Sequence, residues 1–272
     1  MSKAELWREL RASLAFVERN VNLSRRYLGW EVVFLVYTVV NTLSIGLIGV
    51  GAPGVPADAR LVLYLLTGAL LWSFLSVVFT EVGQAVQWER WEGTIEYTFM
   101  APIRLVTYLS GNSLWAVGYA TLRTVVLLLA TAAFFRLDLS RANAPGAALV
   151  LVASGLSFVG LGLVASVLPL LSTEKGAQAT NIFQAVLLLI SGVYYDVTAL
   201  PAWLQPLAWL SPATYTLRAT RAALIDGAPT ASLLPDILRL VAMALVLAPL
   251  GFFVFRMGAV YALRTGKLKR NG

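Results

Sequence analysis

The chain has 272 residues, 58% of them hydrophobic and 13% charged, with a formal net charge of +7. Soluble domains run near half apolar and a quarter charged, so this balance excludes an ordinary water-soluble fold and describes a chain solvated by lipid. Cysteine and histidine are both absent, which excludes disulfides, thiol nucleophiles, Cys/His metal sites and imidazole acid–base chemistry.

The first predicted element is amphipathic. Leu6, Leu10, Leu14, Val17 and Val21 recur at spacings of three and four, while Glu5, Arg8, Glu9, Arg11, Glu18 and Arg19 fall largely off that stripe. The pattern predicts a helix within residues 1–30 that lies in the membrane interface and leads into the first span. The first apolar run starts near Val32. It exceeds the roughly 7–15 residues of a signal-peptide core, so no cleaved leader is expected.

A helix needs about 20 apolar residues to cross roughly 30 Å of hydrocarbon. Val32–Gly51, Leu61–Thr80, Leu105–Phe135, Ala142–Leu171 and Ala177–Tyr195 are the first five candidate spans. The sixth starts at Leu233 or Ile237 and ends at Phe255, bent at Pro249. The expected fold is therefore an all-α integral membrane protein, one domain over 1–272 with about six transmembrane helices. Val197–Leu217 is also uncharged, but Pro201, Pro206 and Pro212 break it. With Trp203, Trp209 and Tyr215 it reads as a short re-entrant or interfacial helical hairpin, part of a segment 197–232.

Lysine and arginine set the expected orientation. With the N-terminus inside, the cytoplasmic segments hold Lys3, Arg8, Arg11, Arg19, Arg25, Arg26, Arg90, Arg104, Lys175, Arg256, Arg264, Lys267, Lys269 and Arg270. The outside holds Arg60, Arg136, Arg141, Arg218, Arg221 and Arg239, which makes the hairpin external. Both termini are then cytoplasmic, as the positive-inside rule requires. Basic residues beside apolar spans are explained by topology and anionic lipid, so no nucleic-acid partner is expected.

Motifs for independent chemistry are missing. No G-x-x-x-x-G-K-[ST] run is present, so the chain is not expected to bind ATP through a P-loop, and no D-D-x-x-D metal motif occurs. Glu31, Glu81, Asp196 and Asp236 fall at span ends or in loops, whereas ion-driven carriers usually place carboxylates at mid-membrane. The energy source is therefore expected on a partner. Gly160, Gly162 and Ser166 read as close-packing positions between helices. Arg123 is the one clear intramembrane charge. It is either functional or a snorkelling residue paired with a carbonyl or helix dipole.

The polar segment 81–104, between the second and third spans, is the most informative. Glu89, Arg90, Glu92 and Glu96 alternate with Trp88, Trp91, Ile95, Tyr97 and Phe99. A surface-lying helix with an aromatic face and a charged face suits docking on a cytoplasmic protein, with Gly93 permitting a break and Pro102 ending the segment.

Two stretches resemble the membrane permease subunits of ABC-2-type ATP-binding cassette transporters, with a type V exporter-like fold. One is Glu89–Pro102 (ERWEGTIEYTFMAP), with its Gly-Thr-Ile-Glu core and closing proline. The other is Ser191–Arg218 (SGVYYDVTALPAWLQPLAWLSPATYTLR). The resemblance implies a permease working as a homo- or heterodimer in a prokaryotic plasma (inner) membrane. It implies a separate ABC ATPase subunit that carries the ATP and Mg, and no cofactor on this chain. Glu89, Arg90, Trp91, Glu92, Gly93, Thr94 and Glu96 would couple to that ATPase, and Asp196, Pro201, Trp203, Pro212 and Tyr215 would belong to the external hairpin. Asp196 departs from the proline common in the family. Spans two and five would line the pathway, with Trp72, Phe74 and Phe79 on one, and Asn181, Phe183 and Gln184 on the other, as candidates. Their aromatic character favours efflux of a hydrophobic or amphipathic cargo, drug or lipid-like. A lipid-linked glycan or surface polysaccharide is the alternative cargo, and a membrane enzyme or anchor the third class.

Overall fold

A computed structural model describes residues 3–51, 59–137, 139–172 and 176–266. Lys175, Lys267, Lys269 and Arg270 from the inside set lie outside the described residues, as does the side chain of Lys3. The described chain is all-helical. It comprises α1 (Lys3–Arg26), α2 (Leu28–Val50), α3 (Ala59–Glu92), α4 (Ile95–Met100), α5 (Leu105–Phe135), α6 (Ala144–Leu171), α7 (Gly176–Ile190), α8 (Gln205–Leu210), α9 (Pro212–Leu224) and α10 (Thr230–Thr265). A single 3-10 turn, Val197–Ala199, precedes α8.

Five of these helices, α2, α3, α5, α6 and α10, are long and apolar enough to cross a membrane. The fifth expected span is shorter than the sequence suggests. α7 has 15 residues, about 22 Å at 1.5 Å per residue. It ends before Tyr195 because Gly192 takes φ +69, a left-handed stop that glycine adopts freely.

α6 is the centre of the fold, packed against α3, α7, α9 and α10. Small residues make this possible. A Cβ on Gly160 would sit 2.4 Å from the Leu247 backbone, and one on Gly251 would sit 2.3 Å from the Gly160 carbonyl, so α6 and α10 meet backbone to backbone. Gly162 lies against Phe79 and Val82 of α3, and the Ser157 hydroxyl donates to the Leu240 carbonyl at 2.8 Å. Ser166 turns back on its own helix and donates to the Leu163 carbonyl.

α2 and α10 are peripheral, and only 17% of the apolar window of each is buried, against 61% for α6. α1 packs on α5 through its polar side. Ser13 donates to the Thr107 carbonyl at 3.2 Å, Asn20 to Asn112 at 2.9 Å, and Thr107 to Glu9. Leu6, Trp7, Leu10 and Leu14 stay exposed on the other side. A helix that satisfies its polar groups on protein and leaves its leucines bare suits the lipid interface.

Candidate functional site

Two regions concentrate the polar chemistry: a cavity between α2, α3 and α5, and the C-terminal tip of α3.

The helix of the second span does not end with the span at Thr80. α3 continues unbroken to Glu92 because Glu-Val-Gly-Gln-Ala-Val-Gln-Trp-Glu-Arg-Trp-Glu holds mostly good helix formers and no proline. Loss of apolarity ends a span but not a helix. At 34 residues, α3 is roughly 50 Å long and outreaches the hydrocarbon. It stops at Gly93, whose φ of +74 turns the chain into the six-residue α4.

Around that stop the expected coupling residues divide in two. Trp91, Glu92, Thr94 and Glu96 are exposed, together with Trp88, Tyr97 and Met100. Trp88 and Trp91 meet edge to face, centroids 5.8 Å apart. Gly93 is half-buried. Glu89 and Arg90, by contrast, are buried, which corrects the expectation that they meet a partner directly. Glu89 pairs with Arg19 of α1 at 2.6 Å. Arg90 donates to the carbonyls of Pro169 at 3.1 Å and Leu170 at 2.6 Å. Those carbonyls belong to the last turn of α6, where backbone acceptors lack helical partners and a cation is favoured. Residues 88–91 therefore place two side chains outward and two inward, onto α1 and α6.

The cavity is about 900 Å³. Its α3 wall includes Trp72, Ser73, Ser76, Thr80, Glu81, Gln84 and Trp88, spaced by three and four and so on one helix face. On α5, Trp115, Tyr119 and Arg123 recur every four residues and share a face in the same way. α2 contributes Glu31, Thr38 and Asn41, and Tyr194 closes one end.

Arg123 donates to the Thr38 hydroxyl at 3.2 Å, and its guanidinium carbon lies 5.5 Å from the Tyr119 ring centroid. Tyr119 stacks on Trp115, centroids 5.2 Å apart, and donates its hydroxyl to Glu31. The Trp115 indole donates to Glu81 at 3.0 Å. Glu31, Glu81 and Arg123, which the sequence leaves in separate segments, thus share one chamber, lined also by Arg19, Glu89 and Glu92. Glu81 lies well inside the helix α3, just past the end of its apolar run.

The expected pathway residues separate accordingly. Trp72 lines the cavity. Phe74 and Phe79 do not, since both point into the core with at most 1% exposure. They occupy the α3 face turned to α6 and α7, where Phe79 stacks on Phe183 with centroids 5.5 Å apart. Gln184 donates to Thr80 at 2.8 Å, and Asn181 is exposed on α7. The polar stripe Ser73, Ser76, Thr80, Glu81, Gln84 carries the helical spacing that could have singled out the cavity face.

At the opposite end, Asp196 caps the 3-10 turn, accepting from the Thr198 N–H at 2.9 Å and its hydroxyl at 2.7 Å. These two donors, backbone first, hold its carboxyl below the usual carboxylate range. Pro201 and Trp203 are exposed in the following turn. α8 and α9 are joined through Ser211 alone, with Pro212 opening α9. The Tyr215 hydroxyl donates to the Trp209 carbonyl at 2.9 Å. Arg218 joins Asp236 of α10, which raises its already high pKa through that hydrogen bond.

A family model described as ABC-2 type transporter matches residues 15–225. The chain therefore belongs to the ABC-2 type transporter family, and it is a multi-pass membrane permease component of an ABC transporter. Members of that family generally work with an ABC ATPase subunit. Among curated proteins none matches the chain closely enough to count as a relative.

Proposed function

We propose that the chain is the membrane subunit of an ATP-driven exporter of hydrophobic or amphipathic molecules. It sits in a prokaryotic plasma membrane with both termini in the cytoplasm. Two copies, or this chain and a paralogue, surround the pathway, and two separate ATPase subunits holding ATP and Mg lie beneath. The segment 197–232 forms the external hairpin.

The observation that carries this reading is the tip of α3. An exposed aromatic and acidic patch (Trp88, Trp91, Glu92, Tyr97) surrounds Gly93, and aromatic residues at such a tip suit docking of a partner. The neighbouring Glu89 and Arg90 are tied to α1 and α6. Movement of the docked ATPase at the tip passes through these two contacts into the interfacial helix and the central helix. Directional export follows when cargo binds the inward and outward states unequally.

The test is affinity purification of the tagged chain from native membranes in mild detergent, with mass spectrometry of what co-elutes. A stoichiometric P-loop ATPase is expected. Its absence, under conditions where the permease dimer survives, overturns the reading. The double variant Glu92→Arg, Glu96→Arg should insert normally and separate ATP hydrolysis from transport.

A further inference from the structure

The exporter reading leaves the charges of the α2–α3–α5 cavity without a task. Glu31 and Glu81 reach its wall from two different helices. Neither takes part in the ion pairs seen among the described residues, and neither does Arg123. The carboxylates are held by neutral donors instead. Glu31 accepts from the Tyr119 hydroxyl and, at 3.4 Å, from Ser24. Glu81 accepts from the Trp115 indole. Because Trp115 and Tyr119 are stacked, the two carboxylates are brought to adjacent points of one wall.

Partly buried carboxylates held without a paired cation are costly to keep. A hydrogen bond from a phenol or an indole orients a carboxylate without neutralising it. Arg19 is committed to Glu89, so three carboxylates, Glu31, Glu81 and the exposed Glu92, remain against the single guanidinium of Arg123. The chamber therefore holds more carboxylates than guanidinium groups in a region of reduced dielectric, where attraction between a carboxylate and a bound cation is stronger than in water. Its other surfaces mix the aromatic side chains of Trp30, Trp72, Trp115 and Tyr119 with the hydroxyls and amides of the α3 stripe. Ring faces attract organic cations and also accept their apolar bodies. Carboxylates set among ring faces form a receptor for a cation with a hydrophobic scaffold. A strongly hydrated metal ion, which wants several oxygen ligands, gains little from ring faces.

We propose that this cavity binds amphipathic organic cations, with Glu31 and Glu81 holding the charged group and the aromatic wall holding the apolar body. The proposal rests on the exporter reading and names its cargo class. The cavity reaches Arg19, Asn20 and Tyr27 at the α1 end. In the proposed orientation that is the cytoplasmic face, where an exported cation would enter.

The test uses two ions of matched size and shape but opposite charge, tetraphenylphosphonium and tetraphenylborate. Their binding to the purified full chain is measured by equilibrium dialysis, with empty micelles subtracted. Tetraphenylphosphonium should bind at least about tenfold more tightly, the signature of one charge-dependent contact. Glu31→Gln and Glu81→Gln should each weaken it by on the order of tenfold and leave tetraphenylborate unchanged. Equal binding of the two ions, or wild-type tetraphenylphosphonium affinity in both variants, overturns the proposal. If Glu81→Gln fails to give a monodisperse protein, Glu31→Gln and the comparison on the unaltered chain still decide. Dialysis needs no ATPase, so the two readings fail separately. Lost charge preference with a co-purifying ATPase removes the cargo class alone, whereas cation binding without any ATPase removes the exporter.

Discussion

The Arg90 guanidinium lies 2.6 Å from the Leu170 carbonyl, so a cation at the tip of α3 closes the C-terminal end of α6. This ties the segment expected to meet the ATPase to the helix at the centre of the fold. Removing it leaves terminal carbonyls buried without their donor. Arg90→Ala should lower stability by about 2 kcal/mol, within the range for a hydrogen bond to a charged group. Arg90→Lys should recover only part, because one ammonium cannot reproduce the planar fork. Thermal unfolding in detergent, followed by tryptophan fluorescence, checks both.

Gly93 has open space around a would-be Cβ, yet its φ is +74. The cost of a side chain there is conformational and not steric. Gly93→Ala should destabilise the turn by about 1 kcal/mol and Gly93→Asn by less, since asparagine tolerates that backbone region. Both variants should insert normally. Cargo-stimulated ATP turnover in the assembled complex should fall in the order Gly, Asn, Ala.

Close approach of α6 and α10 depends on Gly160, whose Cβ would meet the Leu247 and Ala248 backbone. Backbone cannot swing aside as a side chain can. Gly160→Ala should cost roughly 1–3 kcal/mol, as overpacking does. Gly118→Ala, where nothing lies within 4 Å, is the control and should be neutral or slightly stabilising. The difference in melting temperature between the two variants reads the contact directly.

Arg123 shares the cavity with Glu31 and Glu81 and would oppose a cationic cargo of the proposed class. Arg123→Gln should insert normally, since Thr38 and Tyr119 are its contacts and neither is an acid. Binding of tetraphenylphosphonium should tighten several-fold, and transport turnover should drop as release slows. Unchanged binding together with unchanged transport would reduce Arg123 to a packing residue.

Thr198 keeps Asp196 ionised below the usual carboxylate range. A depressed folded pKa contributes stability that is present above the ordinary carboxylate value and is lost as pH falls through the depressed one. The turn over Val197–Ala199 should therefore be insensitive to pH from 8 to 5 and should open only in stronger acid. Asp196→Asn should keep the cap, while Asp196→Ala should loosen the turn at every pH. Hydrogen exchange of this segment across the pH range measures it.

The bilayer left the clearest mark on the sequence. Long uncharged runs have only one stable solvent, so the membrane class and the long helices α2, α3, α5, α6 and α10 were legible from residue order alone. So was the break at Gly93, because glycine alone takes its backbone angle without strain. The two stretches that resemble ABC-2 permeases pointed to the family that residues 15–225 match. Only the tertiary structure decided which way each face turned. Lipid and protein core are both apolar, so Phe74 and Phe79 look alike whether they face a pathway or a neighbouring helix. Polar residues in separate spans carry no sign of their meeting. The rotation of α3 set by Gly162 and α6, together with the register of α5, brought Glu31, Glu81 and Arg123 to one cavity. The same packing turned Glu89 and Arg90 inward, while Trp88 and Trp91, one residue away on either side, stayed outside.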